Sequence, residues 1–341
     1  MTVRKDVLLF GALALVWGTS FAAIEVGLAS LPPILFAALR FDVAAALFAG
    51  GVLALGLEWR PRTTVDWTLI GVGAGLVVGA HFGLLFLGQS YVSSGVAAIV
   101  LSLTPIVTPP LAIVLLGGQR LRAPSVVGLG LGLAGVVVIA LSGGAVGGRA
   151  LGVGLLFGSA VAFALGSVLT ERLAPRGTLS LVSLQAWSMA GGALVLHAIS
   201  AAHPAESPAA VRPTAAALLA LAYLAVVATA GGFLAYFVLL DRVGATELSL
   251  VNYAVPPIAA LVGWAALGEA ITVETIVGFA LILVGFALCK LDALWRHVAP
   301  TVGYGPTRPT RRVDEIVVAG NPYVPRSGAE RSGSGGAVAA D

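Results

Sequence analysis

The sequence predicts an all-α polytopic membrane protein with ten transmembrane helices, arranged as two inverted five-helix repeats. Three observations lead to this fold class. The 341 residues are 58% hydrophobic and only 10% charged, and the mean hydropathy of +1.00 lies far outside the range of soluble domains. Ten apolar runs follow one another, each close to the roughly 20 residues that cross a bilayer. A partial internal repeat relates the two halves at a spacing of about 150 residues.

The apolar runs are separated by short connections rich in Gly, Pro, Ser and Thr. The first run is expected to be an uncleaved span, because its apolar core exceeds the roughly 7–15 residues of a secretory signal and further spans follow it. The fifth run is rich in glycine, and the seventh contains Gln185 and ends near His197. The predicted spans are about 7–29, 33–57, 67–89, 94–116, 124–142, 150–171, 180–201, 214–240, 245–267 and 273–290.

The basic residues of the loops predict the orientation, because cytoplasmic loops of membrane proteins carry an excess of lysine and arginine. If the spans alternate in direction, only Arg149 and Arg212 fall on one side of the membrane. We therefore expect a multi-pass protein of the cell membrane with both termini in the cytoplasm. The basic residues on the other side are Arg4, Lys5, Arg60, Arg62, Arg120, Arg122, Arg172, Arg176, Arg242, Lys290 and Arg296.

These patterns divide the chain into three regions. Residues 1–142 hold the first five spans, and residues 150–290 hold the second five. From about residue 291 the chain is rich in Gly, Pro, Arg, Ser and Ala and has no sustained apolar periodicity. Because such a composition is typical of disorder, we expect residues 291–341 to form a mostly disordered cytoplasmic tail.

The internal repeat superposes the third to fifth spans on the eighth to tenth and matches Pro105 with Pro256. Five is an odd number of spans, so the second half starts from the opposite side and the repeats are inverted. Carriers built this way bind their substrates near the bilayer midplane. Each proline lies near the centre of its predicted span, where it kinks the helix and frees backbone groups. Freed groups are tolerated beside protein or a cavity rather than lipid, so we predict a central cavity beside both prolines.

Two charged residues lie within the predicted spans, and their presence there requires an explanation because burying a charge in a membrane costs free energy. Arg40 lies about two turns into the second span, and Glu25 lies at a similar depth in the first. Their depths predict a Glu25–Arg40 ion pair. Its functional interpretation is a gate, or a guanidinium that receives a substrate carboxylate. A purely structural pair, or a Glu25 side chain that extends outward to water, remains open.

Five further polar or aromatic residues are candidates for the cavity or a gate. Trp17 lies near mid-span, so its indole N–H requires either a protein partner or a cavity. His81 either relays protons or hydrogen-bonds a neighbouring helix. Tyr236, Asn252 and Tyr253 add hydrogen-bonding groups. The carbonyl of Asn252 is the one that the proline of the ninth span leaves without its usual partner.

Three motifs together resemble the drug/metabolite transporter superfamily, in its ten-helix EamA-type branch: Val16-Trp-Gly-Thr-Ser-Phe21, Pro33-Ile-Leu-Phe-Ala-Ala-Leu-Arg-Phe41 and Leu267-Gly-Glu269. The resemblance covers about residues 7–290. It implies two inverted five-helix bundles, cytoplasmic termini and transport of small metabolites, most often export of amino acids or related compounds. The first repeat departs from the pattern, because Gly118 stands where the second has Glu269. We expect Glu269 to be a solvated or capping group at an external turn.

The leading functional hypothesis is a secondary active transporter that exports small metabolites by alternating access through a midplane cavity. The sequence lacks the phosphate-binding motif Gly-x4-Gly-Lys-Ser/Thr. It also lacks a metal cluster or a paired-carboxylate site within the spans, so we expect neither an enzyme nor a cofactor. The topology accounts for the small net charge of +3, so nucleic acid is not an expected partner. Uptake or exchange of another metabolite, a structural or sensory role, proton coupling and a homodimer remain open.

Overall fold

The computed structural model describes residues 2–116, 123–141, 146–203, 206, 211–248, 250–289, 316–318 and 321–323. These residues confirm the predicted all-α membrane class. The α-helices are α1 (Thr2–Leu28), α2 (Pro33–Ala54), α3 (Thr64–Val72), α4 (His81–Gln89), α5 (Ser94–Leu101), α6 (Thr104–Leu116), α7 (Ala123–Leu141), α8 (Val146–Leu173), α9 (Leu181–Ala202), α10 (Ala215–Ala222), α11 (Gly232–Leu248), α12 (Val251–Leu267) and α13 (Val273–Cys289).

Several helices join into longer spans. The third span consists of α3, a π-helical segment π1 (Gly73–Ala80) and α4, and the eighth consists of α10, a second segment π2 (Tyr223–Gly231) and α11. Helices α5 and α6 together form the fourth span. Eight helical stretches are long and apolar enough to cross a membrane, and α12 and α13 are shorter apolar helices. Together these elements give the ten spans that the sequence predicts.

Two opposite faces bound the helical bundle. The terminal face is the one at which α1 begins, and the far face is the one at which α1 ends. Apolar packing between α2 and α4 fills the bundle beneath the far face. The rings of Phe36 and Phe86 meet edge to face at 5.2 Å, and those of Phe41 and Phe82 do so at 4.6 Å.

The fourth span breaks at Pro105, where the sequence predicts a kink. Helix α5 ends at Leu101, and α6 begins at Thr104 after a two-residue turn. Because proline has no N–H to donate, the carbonyl of Leu101 loses its usual helical partner. The Thr104 hydroxyl donates to that carbonyl instead, at 2.8 Å. The break therefore leaves this carbonyl with a hydrogen bond.

The ninth span differs from its prediction. Helix α11 continues to Leu248 and α12 begins at Val251, whereas the predicted ninth span begins near residue 245. Pro256 therefore lies in the second turn of a continuous helix, and its predicted position at the centre of the span is wrong. Hydropathy ends the eighth span near residue 240 because Asp241 and Arg242 follow, but α11 continues as a helix through these charged residues to Leu248. The two matched prolines consequently have different structural roles.

The inverted repeat appears most clearly in the two π-helical segments. They begin at Gly73 and Tyr223, at the spacing that relates the two halves of the sequence. The fifth and tenth spans, which also correspond, pack against each other through glycines. A Cβ on Gly128 would overlap the carbonyl oxygen of Gly285, and a Cβ on Gly285 would overlap that of Gly128. This close approach of the two backbones joins the repeats on one side of the bundle.

The predicted tail falls almost entirely outside the described residues. Within it, strand β1 (Ile316–Val318) pairs antiparallel with strand β2 (Asn321–Tyr323), and Val317 lies opposite Pro322. The prediction of a mostly disordered tail over 291–341 otherwise concerns residues that the structure does not describe.

Candidate functional site

A cavity of about 430 Å³ lies between the two repeats. Its walls come from α1, α2, the third and fourth spans, α8, α9, α11 and α12. Five of the predicted site residues line it, namely Trp17, Arg40, His81, Tyr236 and Asn252. Both halves of the chain therefore contribute functional candidates to one space.

The cavity extends from the middle of the bundle toward the terminal face. Leu69 lies near the start of α3, Glu171 near the end of α8 and Leu181 at the start of α9, all at this face. Toward the far face the lining ends at residues such as Leu85 and Ala98. In this conformation the cavity is thus accessible from the terminal face.

Arg40 is buried at 4% exposure and lies in the wall of this cavity. Its Nε donates to the Thr229 hydroxyl at 2.7 Å. Three phenyl rings surround the guanidinium, and the nearest, that of Phe82, lies 4.9 Å from it. Rings at this distance attract a cation through their negative faces. Arg40 is therefore held by one neutral hydrogen bond and by aromatic contacts.

The predicted Glu25–Arg40 ion pair is not formed. Glu25 accepts a hydrogen bond from Gln89 Nε2 at 3.4 Å, while the same nitrogen donates to the Phe21 carbonyl at 2.7 Å. Within the described part of the chain, no carboxylate forms a salt bridge with Arg40. Similar depth in two helices does not bring the two side chains into contact, because the Arg40 side chain turns toward Thr229 in the eighth span.

The segment π2 accepts hydrogen bonds from two residues that line the cavity, Arg40 and Trp17. Besides Thr229, it supplies the carbonyl of Ala228, which accepts from Trp17 Nε1 at 3.2 Å. The Trp17 ring stacks on Tyr236 at 5.8 Å. A Cβ on Gly232 would crowd the indole nitrogen, so this glycine gives the indole room against the eighth span. Trp17 thus combines both alternatives left open by the sequence, since it packs against a neighbouring helix and lines the cavity.

Thr229 itself escaped sequence analysis. It is completely buried, and its hydroxyl also donates to the carbonyl of Leu224, five residues earlier. This spacing belongs to π-helical geometry, which frequently occurs at functional sites. A hydroxyl within the apolar eighth run was the available signal, but its partner Arg40 lies 189 residues away.

His81 is hydrogen-bonded to a neighbouring helix, one of its two predicted alternatives. Its Nδ1 lies 2.8 Å from the hydroxyl oxygen of Ser159 in α8. That hydroxyl also donates to the His81 carbonyl at 2.8 Å. The imidazole packs against the ring of Phe163, 4.8 Å away, and borders the cavity. The contact joins the third and sixth spans beside the cavity.

The remaining predicted site residues lie outside the cavity lining. Tyr253 turns toward α13, where its ring stacks on Phe286 at 3.8 Å. Its hydroxyl is buried and has no hydrogen-bond partner among the described residues. Pro105 and Pro256 are buried, while their neighbours Thr104 and Val255 border the cavity. Glu25 lies near the far face, where it accepts from Gln89. The structure therefore places the prolines beside the cavity without making them part of its surface.

A layer of hydrogen bonds crosses the far face directly beyond the cavity. Gln89 lies one turn beyond Leu85, and Ser94 lies one turn before Ala98. The carboxylate of Glu269 accepts from the Ser94 backbone N–H at 2.9 Å and from its hydroxyl at 2.8 Å. Glu269 is thus a capping group, as predicted, but the helix that it caps is α5 of the other repeat.

The local sequence explains how Glu269 reaches α5. Gly268 has φ of 70°, a left-handed conformation that ends α12 and that glycine adopts without strain. The Glu269 N–H then bonds back to the Gly263 carbonyl at 3.1 Å. A Cβ on Gly263 would overlap the Glu269 carboxylate and crowd the Ser94 hydroxyl. Leu267-Gly-Glu269 therefore works as a unit that turns a carboxylate toward the fourth span.

Two more buried carboxylates cap spans of the opposite repeat. Glu206 accepts from the N–H groups of Ile34 and Leu35, each at 2.8 Å, and so caps α2. At the terminal face, Asp66 accepts from the backbone N–H and the hydroxyl of Thr178, at 2.7 and 2.8 Å, just before α9. Neither contact is evident from the sequence, because the capped groups lie more than a hundred residues away.

The chain is similar to one protein family and to several known proteins. The EamA-like transporter family matches residues 4–141 and again residues 150–290. The uncharacterized inner membrane transporter YedA of Escherichia coli K12 is 30% identical over 88% of this chain and 95% of its own. A probable amino-acid metabolite efflux pump from the same strain is 27% identical over 86% and 97% of the two chains.

Two further similarities extend this set. A probable terminal-alkyne amino-acid exporter of Streptantibioticus cattleyicolor is 27% identical over 87% of this chain and 97% of its own. A solved crystal structure superposes with a TM-score of 0.57 and 25% identity, covering 85% of this chain and 99% of that one. The similarity therefore extends over nearly the whole length of these proteins.

Proposed function

The chain belongs to the EamA-like transporter family, and on that premise we propose that it is a secondary carrier that exports small metabolites by alternating access. Membership makes it a membrane-embedded transporter of a small molecule rather than an enzyme. The observation that carries the proposal is the cavity between the repeats, which is accessible from one face and covered by hydrogen bonds at the other.

The direction of transport follows from the orientation that the loop arginines favour. With the terminal face in the cytoplasm of a cell, the described conformation loads cargo from the cytoplasm. Opening the far face then requires the contact between Glu269 and Ser94 to break, since this contact links α5 to the end of α12. Cargo would leave on the external side of the cell membrane.

The cargo class is an amino acid or a related compound. Relatives named as an amino-acid metabolite efflux pump and an amino-acid exporter support it. A phosphorylated cargo would require several basic side chains in the cavity. Among the described residues of the lining, Arg40 is the one arginine or lysine. This charge distribution favours amino acids over sugar phosphates or nucleotides.

Flux of radiolabelled amino acids into proteoliposomes tests the proposal. Purified wild-type protein should move at least one member of a broad panel faster than empty liposomes do. Repeating the assay with an imposed pH gradient shows whether transport is coupled to protons. No flux for any member of the panel would contradict the proposal.

A matched pair of tryptophan variants connects flux with the cavity. Ala174 borders the cavity near the terminal face, so Ala174→Trp should obstruct it and abolish most of the flux. Ala222 is exposed on α10 and lies outside the lining, so Ala222→Trp should transport like wild type. Equal flux from the two variants would show that cargo does not use this cavity.

A further inference from the structure

We propose that the cavity recognises a single carboxylate on an apolar or aromatic body, through Arg40, and that the cargo needs no ammonium group. This inference rests on the proposed function and specifies which group of the cargo is recognised, namely a single carboxylate. Four features of the described residues support it: the geometry of Arg40, its lack of an acidic partner, the position of Glu171 and the aromatic wall.

The Arg40 guanidinium is held through its Nε and by neighbouring aromatic rings, while its terminal groups remain available. Its Nε donates to Thr229, and the rings of Phe82, Phe41 and Phe86 lie 4.9, 5.4 and 5.9 Å from its central carbon. The two terminal Nη groups have no hydrogen-bond partner within the described chain, and neither is sealed from the cavity. A planar guanidinium can bind a carboxylate through two parallel hydrogen bonds. The edge formed by both Nη groups is the one available for this purpose.

The charge of Arg40 lacks a counter-ion in the described structure. A buried charge is costly unless it is paired and hydrogen-bonded. Glu25, the partner that the sequence predicted, is bonded to Gln89 instead, and Asp42 pairs with His197. A cargo carboxylate would supply the missing charge. A second carboxylate or a phosphate dianion would bring negative charge that no other arginine or lysine of the described lining could balance.

An ammonium group bound beside Arg40 would find no carboxylate. Glu171 is the one acidic residue among the described residues of the lining, and it lies two residues before the end of α8 at the terminal face. Arg40 lies 14 residues before the terminal-face end of α2, which is roughly 20 Å at a rise of 1.5 Å per residue. Glu171 acts electrostatically on Tyr236 and lies nearer the terminal face than Arg40 does, so a carboxylate bound to Arg40 does not place its adjacent ammonium group directly against Glu171. The ammonium group should therefore contribute little to affinity.

Aromatic side chains supply the surface for the body of the cargo. Trp17 and Tyr236 stack on each other, and Phe233 lies edge-on to Trp17 at 6.1 Å. All three border the cavity, as does Phe82, whose ring also contacts Arg40. Rings of this kind pack well against apolar and aromatic groups. The cavity thus combines one cation with an aromatic wall, which suits an arylalkyl carboxylate.

Four compounds separate these contributions. Phenylalanine carries both charges, 3-phenylpropionate lacks the ammonium, phenethylamine lacks the carboxylate, and phenylsuccinate carries a second carboxylate. Binding to the full-length protein in detergent should be measured by thermal shift and by competition. We expect phenylalanine and 3-phenylpropionate to bind within about threefold of each other. Phenethylamine should bind at least about tenfold more weakly, as expected for loss of charged hydrogen bonds, and phenylsuccinate should also bind more weakly.

Two arginine variants assign the effect to Arg40. Arg40→Gln should lower the preference for 3-phenylpropionate over phenethylamine to about twofold or less, because only charged hydrogen bonds provide it. Arg176 is exposed at the terminal face outside the cavity, so Arg176→Gln should retain the full preference. If Arg40→Gln does not fold, Arg40→Lys retains the charge and should preserve the preference for carboxylates with weaker binding.

Binding and flux give separable outcomes. Equal binding of phenethylamine and 3-phenylpropionate, or no binding of any of the four compounds, would overturn the inference. Loss of binding on removal of the ammonium group would also overturn it. Flux of phenethylamine, which lacks a carboxylate, at the rate of phenylalanine would contradict the inference while leaving the proposed carrier intact. Absence of all flux, with 3-phenylpropionate still bound through Arg40, would contradict the proposed function alone.

Discussion

Arg40 and Thr229 form the most informative pair at the scale of single residues. The guanidinium is buried, and its Nε has one hydrogen-bond partner, which lies within a π-helical segment of the opposite repeat. Sequence alone marked Arg40, since an arginine within an apolar span requires an explanation. The sequence did not identify Thr229 as a site residue, because burying a threonine in a membrane span costs little free energy and because its partner Arg40 is remote in sequence.

Removal of the Thr229 hydroxyl should loosen Arg40. Thr229→Val keeps the shape of the side chain but leaves the buried Nε without its acceptor, which should destabilise the protein by about 1–3 kcal/mol. Thermal unfolding in detergent measures this loss. Thr229→Ser restores the hydroxyl and should recover most of the stability. Equal unfolding temperatures for Thr229→Val and wild type would show that Nε does not depend on this bond.

At the scale of elements, hydropathy and loop composition predicted the spans but not their internal irregularities. Ten apolar runs are sufficient to define ten spans, because a bilayer demands length and apolarity. The π-helical segments carry no comparable signal, since Gly73–Ala80 and Tyr223–Gly231 are as apolar as regular helix. Asp66 forms a local capping box with Thr63 at the start of α3, but its bonds to Thr178 and those of Glu206 to α2 are tertiary and follow from the fold.

The two matched prolines should differ in their effect on transport. Pro105→Ala permits a continuous helix through the break between α5 and α6, so it should slow flux severalfold while leaving membrane insertion intact. Helix α12 is already continuous through Pro256, so Pro256→Ala should have the smaller effect. Initial rates in proteoliposomes, normalised to inserted protein, measure both. A larger loss from Pro256→Ala, or wild-type rates from both variants, would contradict a role for the break.

The bond from Glu269 to α5 should hold the far face closed. Glu269→Gln replaces a charged acceptor with a neutral one, and loss of charged hydrogen bonds shifts such an equilibrium by about tenfold or more. Maleimide labelling of Ile24→Cys from the far face, in a Cys289→Ser background, should accelerate accordingly. Glu274→Gln, at an exposed position in the first turn of α13, is the matched control. Unchanged labelling in Glu269→Gln would exclude this bond as the closure.

At the scale of the whole molecule, the inverted repeat is present but its polar contacts are unequal. The π-helical segments and the glycine contact between α7 and α13 respect the repeat. The carboxylate that binds α5 at the far face does not, because Gly118 occupies the position matching Glu269 in the sequence. The sequence revealed this difference, but only the structure gives it a physical meaning. The far face is closed by a carboxylate contact of Glu269. Gly118, at the matching position of the first repeat, has no carboxylate with which to make the equivalent contact at the terminal face.

A reversible cross-link at the far face tests alternating access most directly. In a Cys289→Ser background, Ser94→Cys and Glu269→Cys place two thiols on opposite sides of this closure, where a short methanethiosulfonate cross-linker can join them. Cross-linked protein should still bind cargo from the terminal face but should transport none, and reduction should restore the flux. Undiminished flux with the cross-link in place would contradict a carrier that opens its central cavity at the far face.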